Sequence, residues 1–180
     1  MRYNSFDYWN SRPTPNQYND IKEEEVNTIP EFIQDAKTVL DFGCGIGRTF
    51  KFYKGCEVTG FDFSSKYRAS AIEHAKELDL NYTHIVQNIH KQPFNFKSKF
   101  DKGILVKVLL HANEEEANTI IKEMGRVCKE VMIIAFYSEE QQLTASHCFN
   151  HSYKELIERN GFKVLSSEII NSQIIITYAV

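Results

Sequence analysis

The chain reads as an α/β protein, an open, doubly wound sheet with helices on both faces. Three observations lead there. Short apolar runs alternate with helix-spaced segments from Thr38 onward. The first run, "TVLDF", empties into a turn holding Gly43, Gly45 and Gly47. The last two runs are joined only by "INS". Alternation of this kind implies parallel strands linked by crossover helices. A connection as short as the last one serves a hairpin, so the closing pair is antiparallel.

Each element has its own justification. "TVLDFG" is continuously apolar, as a central parallel strand buried on both faces must be. "GRTFKFYK" predicts a short helix and "CEVTGFDF" the second strand. In "SSKYRASAIEHAKELDL", Tyr67, Ala71, Ala75 and Leu78 fall at helical spacing, with Ser64 or Ser65 placed to cap the free amides. "YTHIVQ" and "FDKGILVKVL" are the third and fourth strands. "NEEEANTIIKEMGRVCK" is a helix. Asn113 and Glu116 have capping-box spacing, and Ala117, Ile120, Ile121, Met124 and Val127 form its apolar stripe. "EVMIIAFY" is the fifth strand. "SYKELIERNGF" predicts a helix opened by a Ser152–Glu155 capping box and stopped at Gly161. "FKVLSSEI" and "SQIIITYAV" form the hairpin. The acidic runs Glu23 to Glu25 and Glu114 to Glu116 read as solvated helix faces. Residues 1–36 mix aromatics, turn formers and broken helical spacing; they are expected to form an N-terminal helical cap segment on a core of residues 37–180.

Composition narrows the function. A chain of 180 residues, 42% hydrophobic and 25% charged, suits one globular domain with a substantial core. A net charge of −3 carries no polyanion-binding signature, so DNA is not an expected partner. The run Val131 to Phe136 falls far short of the ~20 apolar residues of a membrane span. The N-terminal "MRYNSFDYWNSRP" has no signal-peptide core, and Cys44, Cys56, Cys128 and Cys148 form no CxxC pair. The expectation is a cytoplasmic protein with reduced thiols.

Ligands of open α/β sheets bind beyond the carboxyl ends of the strands, and the glycine turn lies there. A turn between a strand and a helix can direct free backbone amides at a ligand. Gly43 is expected to serve the turn, Gly45 the close approach and Gly47 the entry to the helix. The dinucleotide fingerprint GxGxxG would need its third glycine at position 48, which is Arg48. The spacing found is GxGxG, with Asp41 two residues ahead of it.

"DFGCGIG" resembles the first motif, (D/E)xGxGxG, of the class I S-adenosylmethionine-dependent methyltransferases. "VTGFDFS" is similar to that family's second motif, with Asp62 placed 19 residues after Gly43. "VQNIHKQPF", "FDKGILVKVLLH" and "HSYKELIERNGFKVLSSE" resemble its later segments, in order. The resemblance implies a Rossmann-like, three-layer fold with strand order 3-2-1-4-5-7-6 and strand 7 antiparallel. It implies S-adenosyl-L-methionine as cofactor and S-adenosyl-L-homocysteine as product. It places Asp41 at the methionine amino group, Asp62 on the ribose hydroxyls or as a helix cap, and Asn88 at the adenine amino group. Phe63 and Ile89 would flank the adenine ring, with Val106 beside the cofactor. The stretch "FDYWNSRPTPN" is similar to the aromatic entry segment of small methyltransferases of the thiopurine methyltransferase kind, so Tyr8, Trp9 and Arg12 would cover the cofactor.

Methyl transfer from a sulfonium is an in-line displacement in which the protein supplies geometry and a dry site, worth roughly 7–11 kcal/mol. A general base matters only where the acceptor must lose a proton. His111, at the exit of the fourth strand, is the candidate for that role, or else a brace of its loop. Lys107, His147 and His151 are expected to line the acceptor site, with Lys107 either meeting a substrate anion or turning outward. "SHCFNHS" alone offers too few ligands at sensible spacing, so no metal is expected. The motifs of DNA-amino and cytosine methyltransferases are absent from the sequence. The expected acceptor is a small molecule methylated on oxygen or nitrogen. The alternatives are a protein or RNA acceptor bound with a partner chain, and a non-catalytic cofactor-binding protein.

Overall fold

The computed structural model describes residues 5–13, 22–88, 91, 93–96, 98–136, 147–171 and 173–179. Seven strands form one sheet: β1 (Thr38–Phe42), β2 (Glu57–Asp62), β3 (Asn81–Val86), β4 (Phe100–Val106), β5 (Cys128–Phe136), β6 (Lys163–Ile170) and β7 (Gln173–Ala179). Their order is β3-β2-β1-β4-β5-β7-β6. The pairs among β1 to β5 are parallel, whereas β7 runs antiparallel to both β5 and β6. This is the order and the closing hairpin expected from the sequence.

The apolar runs become central strands because they are buried from both sides. One face of the sheet carries Leu40, Phe42, Phe61 and Leu105 against α4 (Glu114–Val127) and α5 (Tyr153–Arg159). The other carries Val39, Val58 and Ile104 against α2 (Glu23–Ile33) and α3 (Arg68–Glu77). The first helix, α1 (Ser5–Ser11), lies at the carboxyl ends of the strands, as its contacts below establish. Among the described residues no helix is long and apolar enough to cross a membrane.

Local signals succeed and fail for identifiable reasons. The α4 capping box forms: the Glu116 amide donates to Asn113 Oδ1 at 3.0 Å, and the Asn113 amide to Glu116 Oε2 at 2.9 Å. Gly161 ends α5 at φ 85°, donating its amide to the Glu158 carbonyl. The Ser152–Glu155 box does not form, because the Ser152 side chain makes no cap bond. Ser64 does not cap α3 either; its hydroxyl donates to Asn10 Oδ1 of α1 at 3.1 Å. The helix expected over "GRTFKFYK" is only a 3-10 turn, Phe50–Phe52. Gly47 at φ 88° and Gly55 at φ 90° bracket that segment.

The acidic run of α2 also departs from expectation. Glu23 is exposed, but Glu25 is fully buried, on one stripe with Ile29 and Ile33. Glu116 is buried too, held by its capping box.

Candidate functional site

Gly43, Gly45 and Gly47 all sit at positive φ (76°, 54° and 88°), where side chains are strained. Their surroundings separate their tasks. A Cβ on Gly43 would lie 2.5 Å from Val108 Cγ2, and one on Gly47 would lie 2.4 Å from the Phe50 ring. A Cβ on Gly45 would meet nothing within 4 Å. Gly43 and Gly47 therefore let the chain close on itself, and Gly45 presents bare backbone to an open space.

The amides of this turn are largely spent inside the protein. Those of Gly43 and Cys44 both donate to the Phe61 carbonyl, at 2.7 and 3.1 Å, and that of Gly47 to the Cys44 carbonyl. The Gly45 amide donates to Asp62 Oδ2 at 2.9 Å. The expected ring of free donors is thus not what the turn offers. A phosphate cradle needs unclaimed N–H groups. A bare, donor-poor turn suits a ligand whose nearby charge is positive.

Asp62 ends β2 with both carboxylate oxygens engaged, Oδ1 accepting from the Ser64 amide at 2.8 Å. Burial pushes its pKa up to about 6, opposed by the bonds from Ser64 and Gly45. Each oxygen retains a further lone pair for a hydroxyl donor. Asp41 differs. Its Oδ2 accepts from Thr49 Oγ1 at 2.6 Å and from the Tyr53 hydroxyl at 3.0 Å. It is 2% exposed, and burial raises its pKa against those two donors. Both bonds go to Oδ2, so Asp41 braces the residues that follow the turn through one of its two oxygens.

Of the two expectations for Lys107, the outward turn is not found. It sits at φ 57° past the end of β4, and its Nζ turns inward to Glu25 Oε1 at 3.4 Å. Arg48 pairs with the other Glu25 oxygen. One buried carboxylate from α2 therefore ties the glycine turn to the exit of β4. The signal for it was the 25–29–33 spacing, a helical stripe that puts Glu25 in line with two isoleucines.

On the far side of β1, residues 147–151 are fastened to the 3-10 turn Leu109–His111. Phe149 donates its amide to the Leu110 carbonyl at 2.8 Å. His151 Nε2 lies 3.0 and 2.9 Å from the carbonyls of Leu109 and Ala112. Through this nitrogen His151 braces the turn against the segment that follows Phe149. His147 and Cys148 are carried instead to His111: His111 Nδ1 is 3.1 Å from the His147 carbonyl and 3.9 Å from Cys148 Sγ. The His111 and His147 rings stack at 5.5 Å, Tyr8 stacks on His147 at 4.6 Å, and Trp9 meets His111 edge-on at 4.8 Å. Burial lowers the His111 pKa.

α1 joins the two sides. Besides the bond from Ser64, the Trp9 carbonyl accepts from the Tyr67 hydroxyl at 3.3 Å, and Lys66 bonds the Arg12 carbonyl. Arg12 itself folds over the Tyr8 ring and bonds its hydroxyl. Since β1 lies between β2 and β4, a helix touching both of their exits passes over the glycine turn. Phe63 is buried beside Asp62; Val106 and Asn88 are half-buried at the ends of their strands. Ile89 lies outside the described residues. A separate cavity of about 330 Å³ lies between α3 and β3, lined by Arg68, Lys76, Tyr82 and His84 among others.

The sheet order, the bare turn and the acid closing the next strand define a Rossmann-like protein of the class that binds nucleoside cofactors. Residues 39–131 match the methyltransferase-domain family. The chain belongs to that family and so to the S-adenosylmethionine-dependent methyltransferases. (S)-tetrahydroprotoberberine N-methyltransferase of Eschscholzia californica is 30% identical over 140 residues, 72% of this chain and 36% of its own length. N-methyltransferase 4 of Papaver somniferum is 32% identical over 84 residues, 44% of this chain and 24% of its own length. The matched part is thus well under half of each curated relative. The magnesium protoporphyrin IX methyltransferase of Synechocystis PCC 6803, solved with bound S-adenosylmethionine, superposes with a TM-score of 0.74 at 20% identity. That match covers 98% of this chain and 97% of the other, and it shows a shared fold.

Proposed function

We propose that this chain transfers the methyl group of S-adenosylmethionine to a nitrogen or oxygen of a small molecule. The observation that carries the reading is the Gly45–Asp62 pair: open space over bare backbone, with a buried carboxylate bonded to its edge. In this reading Asp62 takes the ribose hydroxyls, and the turn from Gly43 to Gly47 lies under the methionine part. Phe63 and Asn88 lie on the adenine side with Val106 beside the cofactor, while Tyr8, Trp9 and Arg12 cover it. Residues 1–36 act as the cap on the core of residues 37–180.

The acceptor lies on the side of His111 and His147. The donor-poor turn tolerates a sulfonium better than a phosphate, and in-line attack on the methyl carbon needs an acceptor lone pair held opposite the sulfur. Where the acceptor carries a proton, His111 takes it; burial keeps its imidazole neutral at neutral pH, as a base must be. A small acceptor is supported by the net charge of −3 and the N-methyltransferase names of both curated relatives. The unpaired thiols Cys44, Cys56, Cys128 and Cys148 fit work in the cytoplasm.

The test is calorimetric titration with S-adenosylhomocysteine, followed by a labelled-methyl screen of amines, phenols and heterocycles. Micromolar binding and label transfer to one class support the reading. No binding at millimolar concentration refutes it. Binding without transfer to any small acceptor, but with label on a protein or RNA fraction, overturns the acceptor assignment.

A further inference from the structure

We propose that His111, His147 and Cys148 form a binding site for a borderline-soft divalent cation, zinc being the ion their chemistry fits. One donor atom from each lies within 4.8 Å of the other two. Two imidazoles and a thiol are a donor set selective for such ions over magnesium or calcium, which take oxygen. Three protein donors with a fourth position left over is the arrangement of a zinc ion that keeps room for an exogenous ligand.

The chain brings these donors together by design of the loop, not by sequence proximity. His111 comes from the exit of β4, and His147 and Cys148 follow more than 35 residues later. The bonds from Phe149 to Leu110 and from His151 to Leu109 and Ala112 hold the two segments against each other. His151, the third potential donor in "SHCFNHS", is thereby spent on backbone carbonyls, and His111 takes its place. This is why the spacing of 147, 148 and 151 alone argues against a metal and the folded arrangement argues for one.

Tetrahedral donors around zinc stand about 3.5 Å apart. The cluster therefore needs to contract by about 1 Å. The two histidine rings lie 14° from parallel, and a common ion must lie in the plane of both. Binding thus rotates one ring; among the described residues His147 stacks on Tyr8 and His111, while His111 is also met by Trp9, so His147 is the ring expected to turn. Trp9, the chain's single tryptophan, touches His111 and reports the event by its fluorescence. A ligated His111 has no lone pair for a proton, so the ion and the base role assigned above exclude each other at any one moment.

The experiment is a cobalt(II) titration of the untagged, metal-stripped full chain without adenosyl cofactor. The expected result is one equivalent bound, with a thiolate-to-cobalt charge-transfer band, quenched Trp9 fluorescence and displacement by zinc. Cys148→Ser should abolish the band with an unchanged melting curve, and His147→Ala should weaken cobalt binding at least tenfold. Absence of the band at saturating cobalt, or its persistence in Cys148→Ser, overturns the proposal. Because the titration contains no cofactor, a chain that binds cobalt but no S-adenosylhomocysteine refutes the functional reading alone, and the converse refutes this one alone.

Discussion

The Gly45 amide gives its proton to Asp62 Oδ2 across 2.9 Å, so the shape of the glycine turn and the position of the acid are one feature. The pair is held between the carboxyl ends of β1 and β2, which run parallel in register from Thr38 with Glu57 to Phe42 with Phe61. Neither residue can move without the other, and this makes the site testable one atom at a time.

Asp62→Asn turns an acceptor into an amide that must present its NH2 or lose its hold on the Gly45 N–H. Hydrogen bonds to a charged group contribute about 1.5–3 kcal/mol each. S-adenosylhomocysteine binding should weaken at least tenfold by calorimetry. Equal affinity in the variant would remove Asp62 from the ribose.

Acid should do the same reversibly. Asp62 in the free protein titrates at about 6, so below that pH cofactor affinity should fall by about tenfold per unit. Asp62→Asn should abolish that dependence. The sign for stability is opposite. The folded pKa lies above the unfolded value near 4, so this group's contribution is complete below about pH 4 and is lost as pH rises through about 6. Cofactor binding and thermal melting measured from pH 5 to 8 should therefore move in opposite directions for this group.

Gly43→Ala and Gly45→Ala should separate folding from binding. Alanine at positive φ costs about 1–2 kcal/mol at either position. Only at 43 does it also collide, 2.5 Å from Val108 Cγ2, adding about 1–3 kcal/mol. The melting temperature should drop further for Gly43→Ala. Gly45→Ala should lose cofactor affinity beyond what its stability loss explains. The same loss of affinity in both would mean that the space over Gly45 is not the cofactor's.

Asp41→Asn tests whether Asp41 only braces the turn or also holds the cofactor. Thr49 and Tyr53 both donate to Asp41, so the variant should lose about 1–3 kcal/mol of stability. Its affinity for S-adenosylhomocysteine at 10 °C, well below the melting transition, should stay within about threefold of the parent. A loss comparable with that of Asp62→Asn would place Asp41 at the cofactor.

Glu25→Gln should be strongly destabilising, because the carboxylate is fully buried. It leaves Arg48 and Lys107 facing each other without their shared carboxylate, and breaking a buried pair from one side costs about 3–5 kcal/mol. Glu23→Gln, two residues earlier and exposed, should cost less than about 0.5 kcal/mol. Urea denaturation of both variants decides it.

What could be read from the sequence was what burial on two faces imposes locally. Continuous apolar runs marked β1, β2, β4 and β5, and the short "INS" link marked the antiparallel close. The GxGxG spacing and Asp62 were legible because backbone conformation limits the residues that fit. What escaped depended on partners far along the chain. Glu25 looked solvated because Arg48 and Lys107 lie more than 20 residues away, and Ser64 looked like a cap because Asn10 was not visible as its acceptor. The pairing of His111 with His147 and Cys148 follows from carbonyl contacts of Phe149 and His151 that no residue pattern encodes.

The Ser64–Asn10 hydroxyl bond, with Tyr67 on Trp9 and Lys66 on Arg12, latches α1 across the doorway of the pocket. Ring contacts of Tyr8 with His147 and of Trp9 with His111 hold the helix on its other side. With the cofactor bound as proposed, this short helix would have to lift for spent nucleoside to leave.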